Sequence, residues 1–143
     1  MKFTKLLFSV LLLFVTNIYG QNKVNEIRTK EGVRFITTSI NYPITGTYLF
    51  EGKTEPIVQL NLDGTGIFQL HELPTTAMIW GIECNEIGDP KFIEGFDSAT
   101  YTLWYKNTAE SSDEESWISV QFSIHFVKKK MYILGERIKD YID

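Results

Sequence analysis

Glu83, Glu86, Glu94 and Asp97 lie in and just after a segment that carries Trp80. Paired carboxylates are the machinery of glycoside hydrolysis, provided their surroundings push their pKa values apart, and Trp80 and Trp104 are of the type that stacks on a sugar ring. Nothing in the spacing supplies that separation, so these acids read as solvated loop and outer-face residues. His71, His125 and Cys84 complete the set of histidines and cysteines. Two imidazoles and a thiolate are sufficient ligands for zinc, but their spacing follows no metal-binding pattern and no metal is expected. Cys84 shares a phase with Trp80 and Ile82, which predicts a buried, inert thiol; an intermolecular disulfide is the alternative in an oxidising compartment.

Sequence motifs for catalysis are missing. There is no Gly-x-Ser-x-Gly elbow. His71-Glu72 has no second histidine at helical spacing, so it is not a zinc-protease motif. Asp63-Gly64-Thr65 has the wrong order for an aspartic protease, and a turn explains its residues. No glycine-rich phosphate loop precedes a helix. No catalytic residue is assigned and no cofactor is implied, so an enzyme ranks last among the functional classes.

The elements that must position any site follow from composition and pattern. The 143 residues are 43% hydrophobic and 14% aromatic, which argues for one folded domain and against disorder. One cysteine excludes a disulfide scaffold. With 14 basic against 18 acidic side chains there is no positive field for nucleic acid. The acidic run Glu110 to Glu115 reads as a solvated loop. Lys128-Lys129-Lys130 reads as a turn whose charges keep neighbouring strands from mispairing.

Residues 1–20 have the form of a secretory signal: Lys2 and Lys5, then the apolar stretch Leu6 to Val15 broken only by Ser9, then Ile18-Tyr19-Gly20 before polar Gln21. The apolar stretch is far short of the roughly 20 residues that span a bilayer. Cleavage after Gly20 is expected, with no membrane span afterwards and a secreted or periplasmic location. No cysteine lies near the cut to accept a lipid. Cleavage removes two lysines and no acids, taking the net charge from −4 to −6.

Past Gln21 the signal is alternation with period two, the mark of half-buried strands. Ile118, Val120, Phe122, Ile124 and Phe126 share one face of Trp117 to Val127, a spacing that would scatter them around a helix. Tyr101, Leu103 and Tyr105 repeat the pattern, as do Met78, Trp80, Ile82 and Cys84, then Val58, Leu60 and Leu62. Tyr48 with Phe50, and Phe68 with Leu70, are shorter versions. Asp63-Gly64 predicts a tight hairpin turn with positive φ at both central residues. Met131 to Ile138 reads as the last strand. About eight strands between Gly46 and Ile138, joined by short links, predict an all-β, antiparallel up-and-down barrel, which leaves no exposed sheet edge; a two-sheet sandwich is the alternative. The barrel domain is placed at residues 46–143. Residues 21–45 form an arm in which Val33 to Ile40 reads as an extra strand and Val24 to Lys30 as a helical turn or a disordered segment.

Four motifs, in order along the chain, resemble the lipocalin-like group of exported β-barrels. Gly46-Thr47-Tyr48 stands where that group has Gly-x-Trp. Asp63-Gly64-Thr65-Gly66 is similar to its Asp-Gly-Thr-Gly hairpin, and Trp80-Gly81-Ile82 to its mid-barrel strand. Arg137 stands in the final strand where lipocalins place an arginine over the first-strand aromatic. The resemblance implies that Gly46, Tyr48 and Arg137 close the barrel, with Arg137 on the Tyr48 ring in a cation–π contact of about 0.5–2 kcal/mol. Tyr48 in place of tryptophan departs from the group.

Two functions lead. One is a carrier or sensor for a small apolar molecule held inside the barrel, lined by Tyr48, Phe50, Phe68, Trp80, Tyr101, Tyr105, Phe122 and Phe126, which are equally able to fill it. The other is an extracytoplasmic interaction module of the inhibitor or immunity type, with a filled barrel and with Trp104 and Trp117 in contact with a protein partner.

Overall fold

β-Branched and aromatic residues alternating with polar ones favour a pleated surface with one face buried, and nearly every such segment pairs. The computed structural model describes residues 23–69, 72–108 and 116–141. Among these residues lie eleven strands: β1 (Asn25–Thr29), β2 (Gly32–Thr37), β3 (Gly46–Leu49), β4 (Ile57–Leu60), β5 (Thr65–Gln69), β6 (Thr75–Cys84), β7 (Phe92–Gly95), β8 (Ser98–Asn107), β9 (Ile118–His125), β10 (Lys130–Ile133) and β11 (Arg137–Asp140). Eight of them close into an antiparallel barrel. Strands β3 to β6 follow one another around the wall, β6 meets β8, and β8 to β11 return to β3. The β6–β8 and β11–β3 pairings join the two halves edge to edge, which excludes a sandwich.

Three strands stand outside the wall. β6 and β8 pair from Met78↔Asn107 to Ile82↔Leu103 and then part. β7 enters the wedge: Lys91 N donates to Glu83 O (3.0 Å), and Phe92–Gly95 pairs with Tyr101–Ser98. β2 extends the β6 edge from Thr37↔Ile82 to Phe35↔Cys84, and β1 folds back on β2. Residues 25–29 are therefore a strand, not a helical turn or a loose arm. Ile27 is the one apolar residue of β1 that is buried, so its alternation is too sparse to read.

The barrel centre is filled by Tyr48, Trp80, Ile82, Phe122, Ile124 and Met131, all fully buried. The two ends are closed differently. At one, Arg137 and Phe68 cover the interior. At the other, the β2–β3 connection crosses the opening and inserts Ile40, Tyr42 and Ile44 into the core. The Trp80 indole N–H donates to Asn61 O and Thr65 O (both 3.0 Å), pinning the β4–β5 turn to the centre.

Several local expectations are revised. Only Gly64 has positive φ in the Asp63-Gly64 turn (89°); Asn61 accepts from Gly64 N and donates to Thr65 O, giving a three-residue loop. Leu62 is carried into that loop and exposed. Met131 to Ile138 is two strands, because Leu134 and Gly135 both take positive φ (57° and 71°) and turn the chain. The expected signal 1–20, Leu70, His71 and the whole acidic run Glu110 to Glu115 lie outside the described residues.

Candidate functional site

The residues expected to line a central ligand are mostly packed against one another. Tyr48 meets Phe122 edge-on at 6.0 Å, and Phe122 meets Tyr101 in the same way at 6.2 Å. The Tyr48 hydroxyl donates to Ile44 O (2.6 Å), and burial holds its pKa well above the ordinary tyrosine value. A void of about 20 Å³ lies between Val58, Phe68, Met78 and Leu103. It has room for a single water at most and an apolar lining that offers water no partner. A central ligand would have to displace whole side chains.

The barrel-closure contact is corrected. The Arg137 guanidinium lies 5.1 Å from the Phe50 ring centroid and 5.3 Å from that of Phe68, not over Tyr48. Register sets this: Ile138 pairs with Leu49, which places Arg137 beside Phe50. The Tyr48 ring is directed the other way along β3, towards Ile44. Arg137 donates through Nη2 to Gln69 O (3.1 Å), while its buried Nε has no partner. Burial lowers its pKa, opposed by Glu136 and Tyr105. Phe68 stacks on Tyr105 at 5.4 Å and 25°. Gly46 sits at the opposite end with φ of 126°, and the Lys139 stem crosses it 2.5 Å from where a Cβ would stand.

Trp104 is on the outer phase, as expected, yet is only 4% exposed. Its cover is the chain's own β1–β2 hairpin: Ile27, Ile36 and Trp104 form a second apolar cluster on which Trp117 packs. Trp104 Nε1 donates to Glu83 Oε1 (2.9 Å), and Arg34 Nε approaches the same oxygen at 3.4 Å. Glu83 is thus committed to structure. Gly81 permits the docking, since a Cβ there would stand 2.6 Å from Ile36 Cβ.

Space for a ligand exists at the barrel mouth, where the β2–β3 connection faces the β7 hairpin. A half-open cleft of about 450 Å³ is bounded by Ile40, Asn41 and Tyr42 on one side. Pro90, Phe92, Glu94, Gly95, Asp97 and Ser98 form the other side, and Ala99, Tyr101 and Phe126 the floor. That volume is within the range of small-molecule sites. Tyr42 and Phe126 lie 5.4 Å apart, as do Phe92 and Tyr101. Burial raises the Tyr101 pKa, and Tyr42 adds to the effect. Asp97 holds a left-handed φ of 52°, and its carbonyl accepts from Phe126 N (2.8 Å), tying the hairpin turn to the end of β9.

Two of the eight expected lining residues, Tyr101 and Phe126, reach this cleft. Glu94 and Asp97 reach it too, but without Trp80 or Trp104, which are buried elsewhere. Tyr42 and Phe92 were missed. Tyr42 lies in the connection that shows no periodicity, and Phe92 in a strand whose residues are all exposed. Among the described residues no group of three His, Cys, Asp or Glu side chains converges, and no helix is long and apolar enough to cross a membrane. Comparison with family models, with curated proteins and with solved structures finds no match to this chain.

Proposed function

We propose that the protein is an exported, lipocalin-like binding protein that takes a small ligand at the mouth of its barrel. One observation carries the reading: the centre is solid, while the mouth keeps a cleft of about 450 Å³ with aromatic walls. Ligand sites are concave, mostly apolar and edged by a few polar groups, and this cleft is edged by Asn41, Glu94, Asp97 and Ser98. Export rests on the basic and apolar residues of the first twenty. The lipocalin likeness rests on the closed eight-strand barrel together with Gly46, Gly64, Trp80 and Arg137.

The test is thermal denaturation of the mature chain with a panel of small aromatic ligands, beside a Ser98→Phe variant that fills the cleft. A ligand at a hundredfold excess over its Kd stabilises the native state by about 2.7 kcal/mol. The wild type is expected to shift and Ser98→Phe to stay put. An equal shift in both would move the site away from the mouth.

The interaction-module reading is favoured by a different observation. Phe96, at the tip of the β7–β8 turn, is 97% exposed, and Ile93 is 76% exposed. Large apolar side chains grouped on a protruding hairpin suit a protein contact better than solvent. Trp104 takes no part in it, being covered. Crosslinking in the exported fraction that is lost in Phe96→Ser and kept in Ser98→Phe would favour this reading over the first.

A further inference from the structure

We infer that the mouth cleft selects a small organic cation with an aromatic or apolar body, of the arylalkyl-ammonium class. The inference rests on the reading of the cleft as a ligand site and adds the chemistry of its occupant. Among the described residues, Glu94 and Asp97 are the only charged ones that line the cleft, and no Lys, Arg or His does. Neither carboxylate makes an ion pair among the described residues, whereas Glu83 nearby is bound by Arg34 and Trp104. Lys91, the nearest base in sequence, lines a separate groove with Glu83, Ile93 and Thr100. The cleft lining therefore carries negative charge and no positive side chain among the described residues.

Its walls select in the same sense. Tyr42, Phe92, Tyr101 and Phe126 offer aromatic rings, whose faces attract cations and repel anions. Glu94 and Asp97 are exposed at the rim, so their attraction to a cation acts at short range and adds to that of the rings. A neutral ring would gain the apolar contact alone. An anion would meet two carboxylates and no positively charged side chain of the lining.

Three probes with one ring and different charge test this: benzyltrimethylammonium, benzyl alcohol and benzoate, titrated into the mature chain and followed by NMR shifts of cleft residues. The cation is expected to bind at least tenfold more tightly than the alcohol, and benzoate not to saturate. In the Glu94→Gln/Asp97→Asn double variant the cation is expected to lose about tenfold in affinity while the alcohol is unchanged. The amide replacements keep size, and asparagine tolerates the left-handed φ at position 97, so the fold is retained. Equal affinity for cation and alcohol, or tighter binding of benzoate, overturns the inference and leaves the ligand site standing. No saturable shift with any of the three overturns both.

Discussion

The Arg137 guanidinium sits between the Phe50 and Phe68 rings, 5.1 and 5.3 Å from their centroids, with its Nε buried and unpartnered. A cation in that setting loses hydration and recovers only part of it through Gln69 O and the ring faces. Its main contribution is the stem and the flat head that cover the barrel end. Arg137→Ala is therefore expected to cost about 2–4 kcal/mol, as for a large side chain removed from a core. Arg137→Met, which keeps volume and removes the orphaned donor, is expected to cost under about 1 kcal/mol. Urea denaturation of the two variants checks the order; Met as damaging as Ala would show that the charge itself is needed.

Gly81 and Ile36 make the second prediction. A methyl at position 81 forces Ile36 away and with it the β1–β2 hairpin. Gly81→Ala is expected to lower stability by about 1–3 kcal/mol and to expose Trp104. A red-shifted, more quenchable tryptophan emission at full barrel secondary structure would report the undocking. Unchanged emission would mean that the hairpin tolerates the shift.

Asp63 carries a pH prediction. Hydrogen bonds from the Thr65 hydroxyl (2.6 Å) and Thr65 N (2.9 Å) hold its carboxyl below the ordinary value of 3.8. A depressed carboxylate stabilises the fold above its unfolded pKa, and that contribution fades as pH falls through the depressed value. Carboxyl NMR titration should find Asp63 below the ordinary value in the wild type and higher, though still below that value, in Thr65→Ala, which loses the hydroxyl donor and keeps the backbone one. An ordinary value in the wild type would contradict the turn geometry.

Cys84 is fully buried, and desolvation raises its thiol pKa, with Lys91 opposing. Labelling by an aromatic disulfide reagent is expected to be slow at neutral pH and to follow the rate of opening of the β6 end. Labelling at the rate of a free thiol would place Cys84 at the surface.

The barrel wall was legible wherever one face is core and the other is solvent. Phe122 and Ile124 in β9, Leu103 in β8, and Trp80 and Ile82 in β6 all fall as alternation places them. β7 escaped because all four of its residues are exposed, and exposure leaves no period. The β10–β11 turn escaped because Met131, Ile133 and Arg137, all buried, keep one phase across Leu134 and Gly135. Trp104 was placed on the right face with the wrong neighbour: phase says which way a side chain points, and only the docking of β1–β2 says what covers it. The ring partner of Arg137 could not be read from its position, because it depends on the β11–β3 register, a long-range property. The cleft joins a connection without periodicity to a strand without a buried face, so its walls could not be assembled from pattern, although two of its rings and both of its carboxylates had drawn attention on chemical grounds.

The proposed ligand site is at the mouth and not in the middle of the barrel. A residue-resolved NMR map with benzyltrimethylammonium at saturation tests it most directly. The largest shifts are expected on Tyr42, Phe92, Ser98, Tyr101 and Phe126, with Tyr48, Val58 and Met131 unmoved. Shifts centred on Tyr48, Val58 and Met131 would contradict it.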